Sequence, residues 1–275
     1  MLLAQISDLH IKRPGALAYR RVDTAAALAR AVARLNAVEP RLDAVVITGD
    51  LVDLGSVEEY QHLRSLLAPL TVPYYLLVGN HDARGPLREI FHDHAYLRSG
   101  GAFVHYAVDI GPVRLVALDS QVPEKSHGEF CDERLAWLDK TLDEARGQPV
   151  VVALHHPPFV SGIGHMDRQR LAPASADRLA AVVRRYPNVE RVICGHVHRP
   201  IFTRFAGTIA SAVPAPAHQV ALDLRENAPS AFRLEPPAFA LHAYDEGAGL
   251  VTHHAYFDEG EGPYPFYEPN GELID

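Results

Sequence analysis

Five short stretches of this sequence carry side chains that can hold a divalent metal. They are Asp8-Leu9-His10, Gly49-Asp50, Gly79-Asn80-His81-Asp82, His155-His156-Pro157-Pro158 and Gly195-His196-Val197-His198, and each follows an apolar run. Taking Asp8, His10, Asp50, Asn80, His156, His196 and His198 as donors gives two carboxylates, one amide and four imidazoles. Zn, Mn, Fe and Co accept such a mixed nitrogen and oxygen set, whereas Ca and Mg favour oxygen alone. Seven donors exceed what one tetrahedral ion takes and suit two ions. Two ions about 3.5–4 Å apart need a carboxylate that bridges them and open positions for water and substrate. Asp50 stands in the middle of the order and is the natural bridge.

The elements that must deliver these donors are legible as periodic runs. Residues 2–7 read as a first strand that delivers Asp8 and His10. In extended backbone, residues i and i+2 face one side, so Asp8 with His10 can face one ion, and His196 with His198 lie on one side of their segment. By the same alternation His155 points away from His156 and reads as structural. Asp23 or Thr24 caps a helix with Leu28, Val32 and Leu35 on its buried face, ended by Pro40. A β-branched run at 44–49 is a strand covered on both faces, and Asp50 lies just beyond its carboxyl end, where open α/β sheets hold ligands. Ser56 with Glu59 is a capping box for a helix that buries Leu63, Leu66 and Leu67. Tyr74 to Val78 is a third strand.

This alternation implies right-handed βαβ units and a parallel sheet. Residues 103–110 and 113–120 then read as a hairpin about Gly111-Pro112. A helix over 132–145, a strand over 150–154, a helix near 175–186 and a strand over 191–194 follow. Residues 201–223 read as two or three short strands. From 234 onward prolines, glycines, aromatics and acids mix, which reads as a cap or dimerisation segment with a loose tail. The expected division is a core over 1–200, then 201–275 as the end of the core sheet plus that segment.

Composition excludes some classes. The 275 residues are 48% hydrophobic, ordinary for a globular chain with a full core. A formal net charge of −8 repels duplex nucleic acid. No run of about 18 apolar residues suggests a membrane span. The N-terminus lacks a positively charged leader. Two widely separated cysteines, Cys131 and Cys194, suggest free thiols in a reducing compartment, the cytoplasm. No His-Glu-x-x-His occurs, which argues against a metallopeptidase of that type.

Each motif alone is weak, but the set in this order is specific. Asp-x-His (8–10), Gly-Asp-x-x-Asp (49–53), Gly-Asn-His-Asp (79–82), His-His-Pro-Pro (155–158) and Gly-His-x-His (195–198) resemble the motifs of the calcineurin-like metallophosphoesterases. Within that superfamily the chain is most similar to bacterial glycerophosphodiesterases and class III cyclic-nucleotide phosphodiesterases. The opening Met1 to Asp8, the compact length and Ala217-His218-Gln219-Val220 carry that finer likeness. The resemblance implies an α/β fold, a four-layer αββα sandwich with a small C-terminal cap or dimerisation segment. It implies one ion held by Asp8, His10, Asp50 and His198, and a second by Asp50, Asn80, His156 and His196. Asp53 stands where purple acid phosphatases carry a tyrosine.

The expected activity is hydrolysis of small phosphodiesters, either glycerophosphodiesters or 3′,5′-cyclic nucleotides. A phosphodiester anion repels hydroxide, and its alkoxide leaves poorly. Two cations offset the first problem and supply hydroxide near neutral pH for in-line attack. His81, next to Asn80, would donate to a phosphoryl oxygen or protonate the leaving oxygen. Asp53 and Asp82 would fix imidazole tautomers, and His218 would line the site from the cap. The aromatic tail at 256–267 suggests a homo-oligomer. The alternatives are a phosphomonoesterase of the same fold and a scaffold that has lost catalysis, against which stands a complete donor set.

Overall fold

Apolar runs form strands here, and amphipathic runs form the helices that cover them. A computed structural model describes residues 1–274. Its first half runs β1 (Leu2–Ile6), α1 (Thr24–Asn36), β2 (Ala44–Ile47), α2 (Val57–Leu67), β3 (Tyr74–Leu76), α3 (Arg84–Ile90), β4 (Tyr106–Ile110), β5 (Val113–Leu118) and α4 (Asp132–Glu144). It continues with β6 (Val150–Leu154), α5 (Gly164–Asp167), α6 (Pro173–Val183), β7 (Val189–Cys194), β8 (Ile201–Phe205) and β9 (Thr208–Ala212). Last come β10 (Gln219–Val220), β11 (Phe232–Arg233), β12 (Ala238–Asp245) and β13 (Gly249–Tyr256).

The local signals act as their chemistry dictates. Asp23 caps α1 by accepting the Ala26 amide at 2.9 Å, and Leu28, Val32 and Leu35 are buried beneath it. Ser56 and Glu59 form a reciprocal capping box that starts α2. The short α3 and α5 lack a side-chain cap and carry too few apolar repeats to be legible in sequence.

Strands assemble into two main sheets. One has the order β13-β12-β1-β2-β3 and the other β4-β5-β6-β7-β9-β8. β1, β2 and β3 are parallel, as are β5, β6, β7 and β9. Side-chain parity divides the core into three apolar layers. Leu3, Val46, Val151, Ala153 and Ile193 pack between the sheets. Ile6, Val45 and Ile47 pack with Leu28, Leu35 and Leu63 of α1 and α2. Val150, Val152, Leu154 and Val192 pack with Leu138, Leu142 and Leu179 of α4 and α6. This is the αββα sandwich.

The chain after residue 234 departs from the expected cap. Ala238–Tyr256 forms a long hairpin whose first strand pairs antiparallel with β1, from Leu2 opposite Ala243 to Gln5 opposite Ala240. β1 would otherwise expose one edge, and β12 covers it. Histidines and tyrosines interleaved along these strands diluted the apolar alternation. The pair that overhangs the strand ends is instead β10 with β11. Among the described residues no helix is long and apolar enough to cross a membrane. Cys131 is exposed and Cys194 buried, and neither is in a disulfide.

Candidate metal centre

The parallel strands of both sheets end on the same side of the sandwich, so their C-terminal loops meet. Sheet one contributes Asp8 and His10 after β1, Asp50 after β2 and Asn80 after β3. Sheet two contributes His155 and His156 after β6, and His196 and His198 after β7. Asp8, His10, Asp50, His196 and His198 all have left-handed backbone, with φ of 58°, 44°, 48°, 69° and 47°. Such residues cost roughly 1–2 kcal/mol each, so strain is concentrated here. The pairs Asp8/His10 and His196/His198 therefore converge by tight turns, not by the extended alternation expected from sequence. Gly79 allows close approach, since a Cβ there would lie 2.2 Å from Asp50 Oδ1.

Two clusters share Asp50. In the first, His10 Nε2 lies 3.3 Å from His198 Nε2, and His198 Nε2 lies 3.3 Å from Asp8 Oδ1. In the second, His155 Nε2 lies 3.3 Å from Asp50 Oδ2, 3.2 Å from Asn80 Oδ1 and 3.3 Å from His196 Nδ1. Asp50 Oδ2 is also 3.7 Å from His10 Nε2.

His155, expected to be structural, thus occupies the position expected for His156. Along β6, Val151 and Ala153 face the other sheet, and His155 continues that parity. Val150, Val152 and Leu154 face α4 and α6, and His156 continues theirs. The Nδ1 of His156 is 2.8 Å from Ser120 Oγ, and a Cβ on Gly128 would meet it at 2.5 Å. A ring nitrogen of His156 still comes within 4.8 Å of those of His155 and His196, closing the back of the cluster.

Neighbouring groups set the tautomers. The Nδ1–H of His155 donates to the Thr48 carbonyl at 2.8 Å, and that of His198 to the His218 carbonyl at 3.0 Å. In the neutral rings both Nε2 atoms then carry lone pairs. These lone pairs face the carboxylate and amide oxygens of Asp8, Asp50 and Asn80, which are acceptors too. Acceptors packed against acceptors in a buried site need protons or cations between them. The donor set fits a pair of divalent ions.

The electrostatics of the protein alone agree. Burial depresses the His155 imidazolium, but the Asp50 carboxylate outweighs it and pushes the group up to about 9. Burial opposes ionisation of Asp8, yet His198 pulls its carboxyl down to about 2. Burial, and then His155, push His196 down to about 3. His155 and His198 therefore both hold a proton more tightly than a free imidazole, because each faces a buried carboxylate, and a bound cation would displace that proton.

Other expected residues fall in different places. Asp53 Oδ1 lies 3.5 Å from His10 Nδ1, and its other oxygen pairs with Lys12. Asp82 touches no imidazole. It accepts the amides of Gly79 at 2.8 Å and Leu51 at 3.2 Å, and the Tyr60 hydroxyl at 2.9 Å. It therefore clasps the two loops after β2 and β3, which corrects its expected role. Burial and the Asp50 charge push its carboxyl up to about 7 against those donors. The His81 amide donates to Asp50 Oδ1 at 2.9 Å, and its Nδ1–H donates to the Asp53 carbonyl at 2.8 Å.

A cavity of about 390 Å³ opens in front of the clusters. His10, Asp50, Asn80, His81, His196 and His198 line its floor, and Tyr19, Met166, Val220 and Phe232 line its far wall. His218 stands between, with its ring 4.9 Å from His198, 5.3 Å from Tyr19 and 5.5 Å from Phe232. Sequence reasoning missed Tyr19, Met166 and Phe232. They sit in a turn, the four-residue α5 and the two-residue β11, all too short to show periodicity, and only the fold brings them together.

The fold and the shared acid define a dinuclear phosphoesterase. A family model described as calcineurin-like phosphoesterase matches residues 1–200, and the chain belongs to this family, whose centres hold two divalent ions. The chain is 40% identical, over all of both chains, to a protein of Arcobacter nitrofigilis named a probable glycerophosphodiester phosphodiesterase. It is 32% identical to a 3′,5′-cyclic adenosine monophosphate phosphodiesterase of Pseudomonas aeruginosa, over 72% of this chain and 70% of that one. A dimetal phosphatase from Danio rerio shares the fold with a TM-score of 0.69 at 18% identity, covering 94% of this chain and 99% of the other.

Proposed function

We propose that this chain hydrolyses small phosphodiesters at two divalent ions. One would be held by Asp8, His10, Asp50 and His198, and the other by Asp50, Asn80, His155 and His196. The observation that carries this reading is the division of labour within Asp50. Its Oδ1 accepts the His81 amide at 2.9 Å, leaving Oδ2 between His10 Nε2 at 3.7 Å and His155 Nε2 at 3.3 Å. A carboxylate that faces both clusters would suit a ligand shared by two ions. When bound, the ions neutralise the phosphoryl oxygens and lower the pKa of a water. Zn, Mn, Fe and Co suit the donors.

The side chains do the rest. The Thr48 carbonyl orients His155 and the His218 carbonyl orients His198, while Asp53 faces His10 Nδ1 at 3.5 Å. The Asp53 carbonyl holds His81 by Nδ1, which leaves Nε2 to donate a proton to the leaving alcohol. Burial depresses His81, but the Asp50 charge and the Asp53 carbonyl outweigh it and raise its affinity for that proton. Among the described residues lining the cavity there is no Lys or Arg. Such a wall suits the neutral second substituent of a diester better than the extra charge of a monoester.

Glycerophosphodiesters are the first substrate class, supported by the full-length likeness to the Arcobacter protein. Cyclic nucleotides are the second, supported by the Pseudomonas likeness. The test is a panel on metal-reconstituted enzyme, with a glycerophosphodiester, a cyclic nucleotide, a chromogenic diester and the matching monoester. At least tenfold higher kcat/KM for a diester than for the monoester is expected; preference for the monoester would sink the reading. The free thiols support a cytoplasmic setting. The exposed Tyr264, Phe266, Tyr267 and Leu273 of the tail support self-association, checked by light scattering.

A further inference from the structure

The layer between the two sheets is mostly apolar, and a chain of buried polar groups crosses it. Gln5, on β1, is 1% exposed and crosses that layer. Its Nε2 donates to Cys194 O at 2.9 Å, in the other sheet, and to Thr48 Oγ1 at 3.0 Å. Its Oε1 is 3.2 Å from Nε2 of His242, which is itself fully buried on β12. His242 Nδ1 is 2.8 Å from Thr252 Oγ1 on β13, and Arg191 Nη1 donates to that same oxygen at 2.7 Å.

The direction of every bond is forced. A carbonyl only accepts, so the Gln5 nitrogen must face Cys194 and its oxygen must face His242. His242 then carries its hydrogen on Nε2 and accepts at Nδ1. Thr252 must donate to Nδ1 and can only accept from Arg191. One donor chain thus runs from Arg191 through Thr252, His242 and Gln5 to Thr48 and Cys194.

The far end of this chain lies at the metal-facing strand ends. Gln5 is three residues before Asp8, Thr48 two before Asp50, and Cys194 two before His196. The Thr48 carbonyl receives the Nδ1–H of His155. One side-chain amide therefore ties together three of the five segments that carry the donors, and the Thr48 carbonyl joins a fourth through His155. Each cluster draws donors from both sheets, so the spacing between the sheets sets both at once. A Met or Leu at position 5 would fill the layer without the desolvation that a buried amide costs. A fully bonded amide there defines a single spacing, which an apolar contact does not.

We propose that Gln5, held in orientation by His242 and Thr252, is a positioning residue that sets the inter-sheet spacing of the metal centre. The C-terminal hairpin is thereby coupled to metal affinity. This inference rests on the dinuclear reading above. The test compares wild type, Gln5→Met, Thr252→Val and Leu3→Ala, each stripped of metal and titrated calorimetrically with Mn²⁺. The thermal midpoint of each metal-free protein is measured in parallel.

Wild type is expected to take up two ions. Gln5→Met should bind the weaker ion at least tenfold less tightly, with turnover restored by excess metal. Thr252→Val, a partly exposed isosteric change, should move affinity in the same direction by a smaller factor. Leu3→Ala loosens the same layer opposite His242 but removes no polar group of the donor chain, so its midpoint should fall with affinity kept. Wild-type affinity in Gln5→Met, or a loss no larger than in Leu3→Ala, would overturn the proposal. If Gln5→Met does not fold, unchanged affinity in Thr252→Val overturns it. A wild type that binds no ion would instead refute the metal centre itself, a separate failure.

Discussion

His155 Nε2 lies 3.3 Å from Oδ2 of Asp50, across the boundary between the two sheets. Its neighbour His156 turns the other way and meets Ser120 at 2.8 Å. Adjacent histidines therefore have separable consequences. His155→Ala should lower the metal content from two ions to one and abolish most diester turnover. His156→Ala should keep two ions. Elemental analysis after reconstitution decides between them, and the reverse pattern would restore His156 as the ligand.

Asp50 is the oxygen source common to both clusters. Asp50→Ala should bind neither ion tightly, because each loses a ligand and the shared negative charge disappears. Retention of two ions at wild-type affinity, read by the same elemental analysis, would contradict the bridge.

His81 is held by its backbone and by Nδ1, with Nε2 free. His81→Ala should keep both ions and lose roughly 10²–10⁴ in kcat for a diester with an alkyl leaving group. The loss should shrink for a nitrophenyl leaving group, which departs without a proton. Equal losses on the two substrates would exclude proton donation.

Burial, and then Arg191, push the His242 imidazole down to about 3. The folded chain therefore holds His242 neutral, whereas the unfolded chain takes up a proton near pH 6.5. Between these values the unfolded state binds more protons, so stability rises with pH. Its contribution is complete above about pH 6.5 and is lost as pH falls toward 3, by up to about 1.4 kcal/mol per pH unit. His242→Phe should flatten this part of the profile in urea titrations of the metal-free protein. An unchanged slope between pH 6 and 4 would show that His242 does not titrate this way.

Much of the architecture was readable because local chemistry and tertiary context agreed. Leu28, Val32 and Leu35 mark α1 by spacing, and Ser56 with Glu59 marks the start of α2 by capping. The C-terminal hairpin was not readable. His242, Tyr244, His253 and His254 break its apolar pattern, and its pairing with β1 joins residues more than 230 positions apart. Asp82 illustrates a second limit. Its place two residues after Asn80 was plain, but its partners come from elsewhere in the chain, Leu51 from the loop after β2 and Tyr60 from α2.

Sequence alone determined which kinds of donor this protein has and that they follow successive strands, because residue type and hydrophobic period are local properties. It could not determine which of two consecutive histidines faces the shared acid. β6 is buried on both faces, so hydrophobic alternation does not say which parity points where. Only the packing of one sheet on the other assigns Val151, Ala153 and His155 to the inner side. The same packing places Gln5 within reach of Cys194, a contact made across 189 residues of chain.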